Sequence, residues 1–508
     1  DDEDEEESDE ESEDESEARR MEEVDVVVVG KGPCALTVLA ALQWGENEEI
    51  EGDNEDLRER WKELSVLVVD RESGWCGRWR RGMDLLKIEY LRSPLGAHPD
   101  TSNEVAMLSF AQRKGRMNEM KKVDEGRERL FKRNVNLEEL GMYNLPSVPL
   151  FNDFCEELVE QLPHREKIAD VEDITEEADG VKVRLGDGTD VKARFVVLAI
   201  GADGQPSIPI PFQKIMSNHP RSKRNVYHIT ELMDHNHVAA LHSRVRLKNG
   251  ARRRAMVVGG GLSAIQLALA LYKHHGYAVC ICSRRAIRLR DFDVPLEWVD
   301  WRREKLLRFK FYDMDMDERV EYIEKTKGGG SVPRKFLDEV EEVLAADSEN
   351  FEMHVDPRIE EWVVEMKKGG KDAIFLNGSR YSAVFLATGK IPHTKSSSSL
   401  LGRLSLSTGV PIHSGLPAVT SDLTWSPGSR IYVAGALAGL RLGPTSHNLM
   451  GFRRSASLIA FHIRNRASRP APSWRNNPFL LGSSTDEEEE DDEDEEESDE
   501  ESEDESEA

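Results

Sequence analysis

Two short glycine-bearing runs carry the chemistry this chain could do. Gly30-Lys31-Gly32-Pro33-Cys34-Ala35 and Gly259-Gly260-Gly261-Leu262-Ser263-Ala264 share the spacing G-x-G-x-x-A. In such a turn the first glycine permits a tight bend, and the second lets a pyrophosphate approach N–H groups at a helix N-terminus. A small third residue, Ala35 or Ala264, lets the helix close on the strand. The spacing therefore points to two dinucleotide sites. Gly30, Gly32, Pro33 and Ala35 would line the first, and Gly259, Gly261, Ser263 and Ala264 the second.

The residues that end the next strands differ in sign. Asp70 follows Leu64–Val69 and is an acceptor suited to ribose hydroxyls. The charged stretch 46–63 accounts for its distance from Gly30, which exceeds the usual ~20 residues. Arg284 and Arg285 follow Ala278–Ser283 and would pair with a 2′-phosphate. The first site thus suits FAD and the second NADPH. For the two arginines, a solvated strand end is the plainer alternative.

The elements needed to position these turns can be read from the chain. Val24–Val29 is a continuous apolar run, as expected for a strand buried on both faces of a parallel sheet, and an apolar helix follows over Leu36–Trp44. Residues 145–162 read as a helix. Residues 181–185 and 191–195 read as a hairpin about Gly186-Asp187-Gly188, and Phe195–Ile200 as a crossover strand ending at Gly201. The pattern recurs as the strand Ala255–Val258, a helix to His274, and the strand Ala278–Ser283. A hairpin at 360–367 and 372–382 follows, then Val384–Ala387 before Gly389. Ile431–Ala434 ends at Gly435, and a closing helix spans 446–463. The expected fold is α/β, with two Rossmann-like dinucleotide-binding domains, the NADPH domain inserted into the FAD domain. Residues 21–204 and 395–468 form the FAD domain. Residues 205–394 form the NADPH domain, with an aromatic, charged insert at 290–345. No periodicity is evident over 100–140.

The net charge of −29 comes from the ends: residues 1–18 and 491–508 are the same acidic sequence, DDEDEEESDEESEDESEA, and the body between is nearly neutral. Residues 1–20 and 469–508 are expected to be disordered tails, because they cannot bury enough apolar surface to offset chain entropy. A polyanion is not expected to bind nucleic acid. No apolar run reaches 18 residues, so no membrane insertion is expected. Five cysteines without a CxxC fit a reducing, cytoplasmic setting and no disulfide framework. Cys280 and Cys282 alternate on one strand and read as core thiols, since no other Cys/His spacing completes a metal site. No metal is expected. Cys34 in the first turn, and Trp298, Trp301, Phe309, Phe311 and Tyr312 in the insert, read chiefly as packing residues.

Together these residues resemble the two-dinucleotide-domain flavoprotein monooxygenases over roughly 24–465. VLVVDRESGWCGRW (66–79) is similar to that family's strand, acid and GG-x-W segment, which adds Trp79 to the FAD site. GADGQPSIP (201–209) resembles its GxxxxPxxP crossover, and LATG (386–389) its ATG segment. Within the superfamily, LKIEYLRS (86–93) falls where ornithine/lysine N-hydroxylases line flavin and substrate. The resemblance implies that Lys87 replaces a flavin-facing glutamine and Arg92 a lysine that grips a substrate carboxylate. It also places Gly435 and Gly443 beside the flavin; Asn448 and Arg453 on the closing helix either face the flavin or pack that helix.

The departures are specific. His228 keeps one position of FxGxxxHxxxY, but Ser222 and Arg224 replace its Phe and Gly. Leu442-Gly443-Pro444 stands where the N-hydroxylases have Thr-His-Gly. The implied activity is oxygen transfer from O2, through a flavin C4a-hydroperoxide, to a small amine or related nucleophile. Two alternatives stay open. One is a peroxide-releasing NADPH oxidase. The other is a flavin-binding regulatory protein similar to the oxidative-stress-induced growth inhibitors, whose acidic tail would meet a basic protein partner.

Overall fold

A computed structural model describes residues 22–44, 64–122, 143–201, 204–218, 225–234, 252–290, 292–327, 330–355, 364–365, 374–376, 379–392 and 399–467. The acidic segments and the charged stretch 46–63 lie outside the described residues.

Valine-rich runs form the centres of two sheets. In the first sheet the strands are β1 (Glu22–Val29), β2 (Val66–Asp70), β3 (Arg165–Ile168), β4 (Val171–Glu176), β5 (Val181–Leu185) and β6 (Asp190–Leu198). Their order is β3-β2-β1-β6-β5-β4. β1 runs parallel to both neighbours, with Val26 opposite Val66 and Phe195. Val26, Val27 and Val28 are fully buried, as β-branched residues are when a strand is covered on both faces.

The chain then crosses over through β7 (Gly204–Pro206) and builds a second sheet. Its strands are β8 (Val226–His228), β9 (Arg254–Val258), β10 (Ala278–Ser283), β11 (Phe351–Val355) and β12 (Ala383–Leu386). All are parallel, in the order β8-β12-β9-β10-β11. β13 (Lys390–Pro392) returns antiparallel to β7. Finally β14 (Ile431–Val433) rejoins the first sheet beside β6. The first sheet thus draws strands from both sides of the second in sequence, which is the expected α/β arrangement.

The helices are α1 (Pro33–Trp44), α2 (Gly77–Leu85), α3 (Val148–Gln161), α4 (Leu262–Lys273), α5 (Trp301–Tyr312), α6 (Met316–Lys327), α7 (Arg334–Ala346) and α8 (Leu449–Ala467). α1 is buried from Pro33 to Leu42, and the Arg464 guanidinium of α8 donates to Ala41 O at 2.7 Å.

Two local differences from the sequence reading concern where elements begin and end. α3 starts at Val148 because the Ser147 hydroxyl caps it, accepting from Leu150 N at 3.1 Å, with Pro149 in the first turn. The hairpin strand and the crossover strand are one element: residues 190–193 of β6 pair with β5, and 196–198 with β14. The later hairpin expected at 360–367 and 372–382 is present among the described residues as the antiparallel strands Val364–Glu365, Ile374–Leu376 and Ser379–Tyr381. In the insert, Trp298 and Phe311 form a buried core with Val294 and Leu440, whereas Phe309 is exposed. Among the described residues no helix is long and apolar enough to cross a membrane.

Candidate dinucleotide sites

The first turn sits at the C-terminal end of β1. Gly30 has φ +116°, and a Cβ there would lie 2.7 Å from Ala199 O at the end of β6. Its N–H donates to Val69 O at 2.8 Å, so the turn is wedged between two strand ends. At Gly32 a built Cβ would meet nothing within 4 Å. The approach to the N-terminus of α1 is open, and Pro33 at its first position needs no N–H partner. That open cradle fits a pyrophosphate. Ala35 is fully buried where the helix closes on the sheet.

Asp70 is fixed from two sides. Lys31 N donates to Oδ2 at 2.7 Å and Glu72 N to Oδ1 at 2.8 Å. The carboxylate is thus oriented at the strand end, with lone pairs left for hydroxyls. Lys31 is buried, with its Nζ 2.5 Å from Glu166 Oε2. Trp75 Nε1 donates to Glu166 Oε1 at 2.6 Å, and His164 Nε2 lies 2.9 Å from the same oxygen. Burial opposes ionisation of Glu166, but the bonds from Lys31, His164 and Trp75 outweigh it and hold the carboxyl below its ordinary range. The sequence reading missed this group. Its one signal was a lysine at the variable position of the glycine turn.

Cys34 lies inside the turn, where a helix N-terminus favours thiolate. Burial wins: the thiol is pushed up to about 12, opposed only by a hydrogen bond with Ser455. Gly435, at φ +68°, closes over it, since a Cβ there would stand 2.8 Å from Cys34 Sγ. Gly201 and Gly389 also have positive φ, at the ends of β6 and β12, and Ser207 N donates to Gly389 O at 3.0 Å. Gly443 lies against the insert, where a Cβ would stand 3.1 Å from the Trp298 ring. Trp79 packs on Phe151, with ring centroids 5.2 Å apart. Asn448 caps α8, its Oδ1 accepting from Met450 N at 3.1 Å. Arg453, also on α8, straps the chain by donating to His98 O at 2.9 Å and to Asp100 O.

The second turn repeats the first. Gly259 has φ +150°, and its built Cβ would lie 2.5 Å from Ala387 O at the end of β12. Gly261 precedes α4, with Ala264 buried and Ser263 exposed. A Cβ on Gly261 would touch Gly330 Cα at 3.6 Å, so the insert's return borders this approach. Arg284 and Arg285 are exposed just beyond β10, free to meet a phosphate.

Two expected site residues meet different surroundings. Lys87 is solvent-exposed at φ +50°, pairs with Asp84 at 2.7 Å, and borders a groove with Gln266 of α4 and Glu339 of α7. Arg92 points into the protein. Its Nη2 donates to Arg290 O at 2.8 Å and Phe292 O at 2.6 Å, and its Nη1 to Ser331 O at 3.4 Å. These carbonyls already engage the planar fork that a substrate carboxylate would need, so Arg92 fastens the insert.

Next along the chain after Phe292 is Asp293, which sequence reasoning passed over. His447 Nε2 lies 3.3 Å from its Oδ2, and Asn448 Nδ2 donates to Oδ1 at 3.3 Å. Burial would neutralise this carboxyl, but His447, Arg92 and Asn448 keep it below its ordinary range. Burial pushes the neighbouring Lys327 ammonium down, with Asp293 opposing.

Known proteins match this arrangement. A family model described as FAD-NAD(P)-binding covers residues 27–203, the first turn and Asp70 included. No curated protein matches the chain. Solved structures that are similar include the FAD-bound cadaverine monooxygenase DfoA of Erwinia amylovora, at 15% identity and TM-score 0.59 over 88% of this chain and 96% of that one. The Kutzneria ornithine N-hydroxylase KtzI is 17% identical, with TM-score 0.61 over 88% of this chain and 100% of its own. The Pseudomonas aeruginosa ornithine hydroxylase PvdA is 19% identical, with TM-score 0.59 over 87% and 99%. At such identities the likeness establishes the fold. A second family model, described as pyridine nucleotide-disulphide oxidoreductase, matches residues 121–450, more than half of the chain. The chain belongs to the pyridine nucleotide-disulphide oxidoreductase family, an FAD- and NAD(P)-dependent oxidoreductase.

Proposed function

We propose that the chain is an FAD- and NADPH-dependent monooxygenase that passes one oxygen atom of O2 to a small amine or related nucleophile. The observation that carries this reading is the pair of glycine turns at parallel strand ends. One is open and followed by Asp70, and the other is followed by two exposed arginines. Support comes from structures of the same fold described as cadaverine and ornithine hydroxylating enzymes, one of them with NADP+ and L-ornithine. The family's name also covers dithiol chemistry, but this sequence has no CxxC.

Bound flavin would supply hydride acceptance and O2 activation. The chain's own residues bind and orient. Gly32 leaves room for the pyrophosphate, Asp70 holds ribose hydroxyls, and Arg284 with Arg285 selects the 2′-phosphate. Arg92 ties the insert to its own segment through Arg290 O and Phe292 O, and Asn448 ties Asp293 of the insert to the start of α8.

The test is the absorption spectrum of purified protein before and after anaerobic NADPH, followed by a screen of amines and amino acids for hydroxylated product. Flavin bands that bleach with NADPH, and an amine that yields hydroxylated product, support the reading. Colourless protein that does not take up FAD refutes it. Bleaching with hydrogen peroxide as the sole product replaces it with the oxidase reading.

A further inference from the structure

At one edge of the second sheet, two strands bring together a set of side chains that the dinucleotide sites do not use. Cys280 and Cys282 lie on β10 and point to one face, as alternate residues of a strand must. The neighbouring edge strand β11 places Glu352 opposite Cys280 and His354 opposite Cys282. One donor atom each from Cys280, Glu352 and His354 lies within 4.8 Å of the others. The Cys282 thiol is 3.8 Å from that of Cys280. In sequence the thiols looked like an incomplete pair, because the other donors follow about 70 residues later and arrive only through strand register.

We propose that Cys280, Glu352 and His354 form a binding site for a thiophilic divalent cation of the zinc type, with the adjacent Cys282 thiol closing in as the fourth ligand when the ion binds. Two of the spacings match those across such an ion. Bonds of about 2.3 Å to sulfur and 2.0–2.1 Å to nitrogen or oxygen put two thiolates about 3.8 Å apart, and an imidazole and a carboxylate about 3.3 Å apart. The structure has the two sulfurs at 3.8 Å, and His354 Nε2 at 3.3 Å from Glu352 Oε2.

The surroundings complete the site. Arg254 pairs with the other Glu352 oxygen and orients the carboxylate, as an outer-shell partner does. With two thiolates, one carboxylate, a divalent ion and Arg254, the net charge is zero. The Tyr381 hydroxyl and the Cys282 thiol both hydrogen-bond the Cys280 sulfur and fix its position. The thiols are buried, whereas His354 is half exposed at the sheet edge, which gives an ion a way in. A disulfide is the rival chemistry. It would need the sulfurs near 2.05 Å between Cα atoms about 6.6 Å apart, close to the upper limit for a bridge.

The full-length protein, reduced and freed of metal with a chelator, is titrated with Zn2+ against a chromophoric chelator. Co2+ serves as a second probe, read as a difference spectrum over the flavin background. The expected result is one equivalent bound per chain, with a thiolate-to-cobalt charge-transfer band. Cys280→Ser should abolish the band. His354→Ala should weaken Zn2+ binding at least about tenfold, with the metal-free melting temperature unchanged because the side chain is exposed. Three results would each overturn the proposal: no stoichiometric uptake by the wild type, uptake in which both variants match it, or loss of two thiols on mild oxidation without any metal uptake.

Discussion

Gly32→Val is the sharpest probe of the first dinucleotide turn, because the structure separates its effect on folding from its effect on binding. A Cβ at Gly32 meets nothing within 4 Å, and Gly32 is absent from the positive-φ glycines. Valine also tolerates the extended conformation that Pro33 imposes on its predecessor. The cofactor-free variant should therefore melt within about 1 °C of wild type, in keeping with a surface change of less than ~0.5 kcal/mol. The open space is where the pyrophosphate must come. Losing two charge-assisted N–H bonds, at roughly 1.5–3 kcal/mol each, weakens FAD by about 10²–10⁴-fold. The assay is fluorescence titration of apoprotein with FAD, beside thermal melts of both apoproteins. Gly30→Ala is the contrasting control: its Cβ would strike Ala199 O at 2.7 Å and its φ is +116°, so it should lower the melting temperature itself. Equal FAD affinity in Gly32→Val and wild type would refute the assignment of this turn.

Other outcomes follow from the same geometry. Replacing Arg284 and Arg285 with alanine should reduce the preference for NADPH over NADH roughly tenfold in kcat/KM, the low end for charge-assisted bonds because both side chains are exposed. Arg92→Ala should leave Arg290 O and Phe292 O unmatched and cost about 1–3 kcal/mol, read as a lower melting temperature, while KM for any amine substrate stays unchanged. His98, buried beside Arg453, has a pKa lowered from 6.5 to about 3, so the unfolded chain binds its proton first as pH falls. Stability is then full above pH 6.5 and declines toward pH 3, by about 2 kcal/mol at pH 5. Melts of wild type and His98→Phe between pH 7 and 5 should show a flatter slope in the variant. Cys34, buried and pushed up to about 12, should resist alkylation in native protein at neutral pH, as peptide mass mapping would show.

The parts of this molecule that were legible in the sequence are those set by local rules. Valine runs named the central strands, and each glycine turn announced itself between a strand and a helix. Ser147 shows the limit of that reading: periodicity extended α3 backwards to 145, but a hydroxyl cap and Pro149 set its start. Residues whose surroundings depend on distant chain were the least legible. Arg92 could be read as a substrate ligand or as a structural partner, because nothing in its own segment revealed that Arg290, Phe292 and Ser331 would bring carbonyls to it. Asp293 gained its role from His447 and Asn448, more than 150 residues on. Glu352 and His354 joined Cys280 only through the register of β10 and β11.

The place of β14 has a consequence for how the protein is made. Ile431 pairs with Val196, so the first sheet must wait for a strand that emerges from the ribosome long after its neighbour. Every strand of the second sheet lies between Val226 and Leu386 and can pair while synthesis continues. The order of assembly is then the reverse of the order of the turns along the chain. The later turn matures on a finished sheet, and the earlier one is sealed last, when Gly435 closes over Cys34. A nascent chain long enough to expose Leu386 but not Ile431 outside the ribosome should hold a protease-resistant second sheet and an incomplete first one, so stable loading of the first turn is an event of the completed polypeptide.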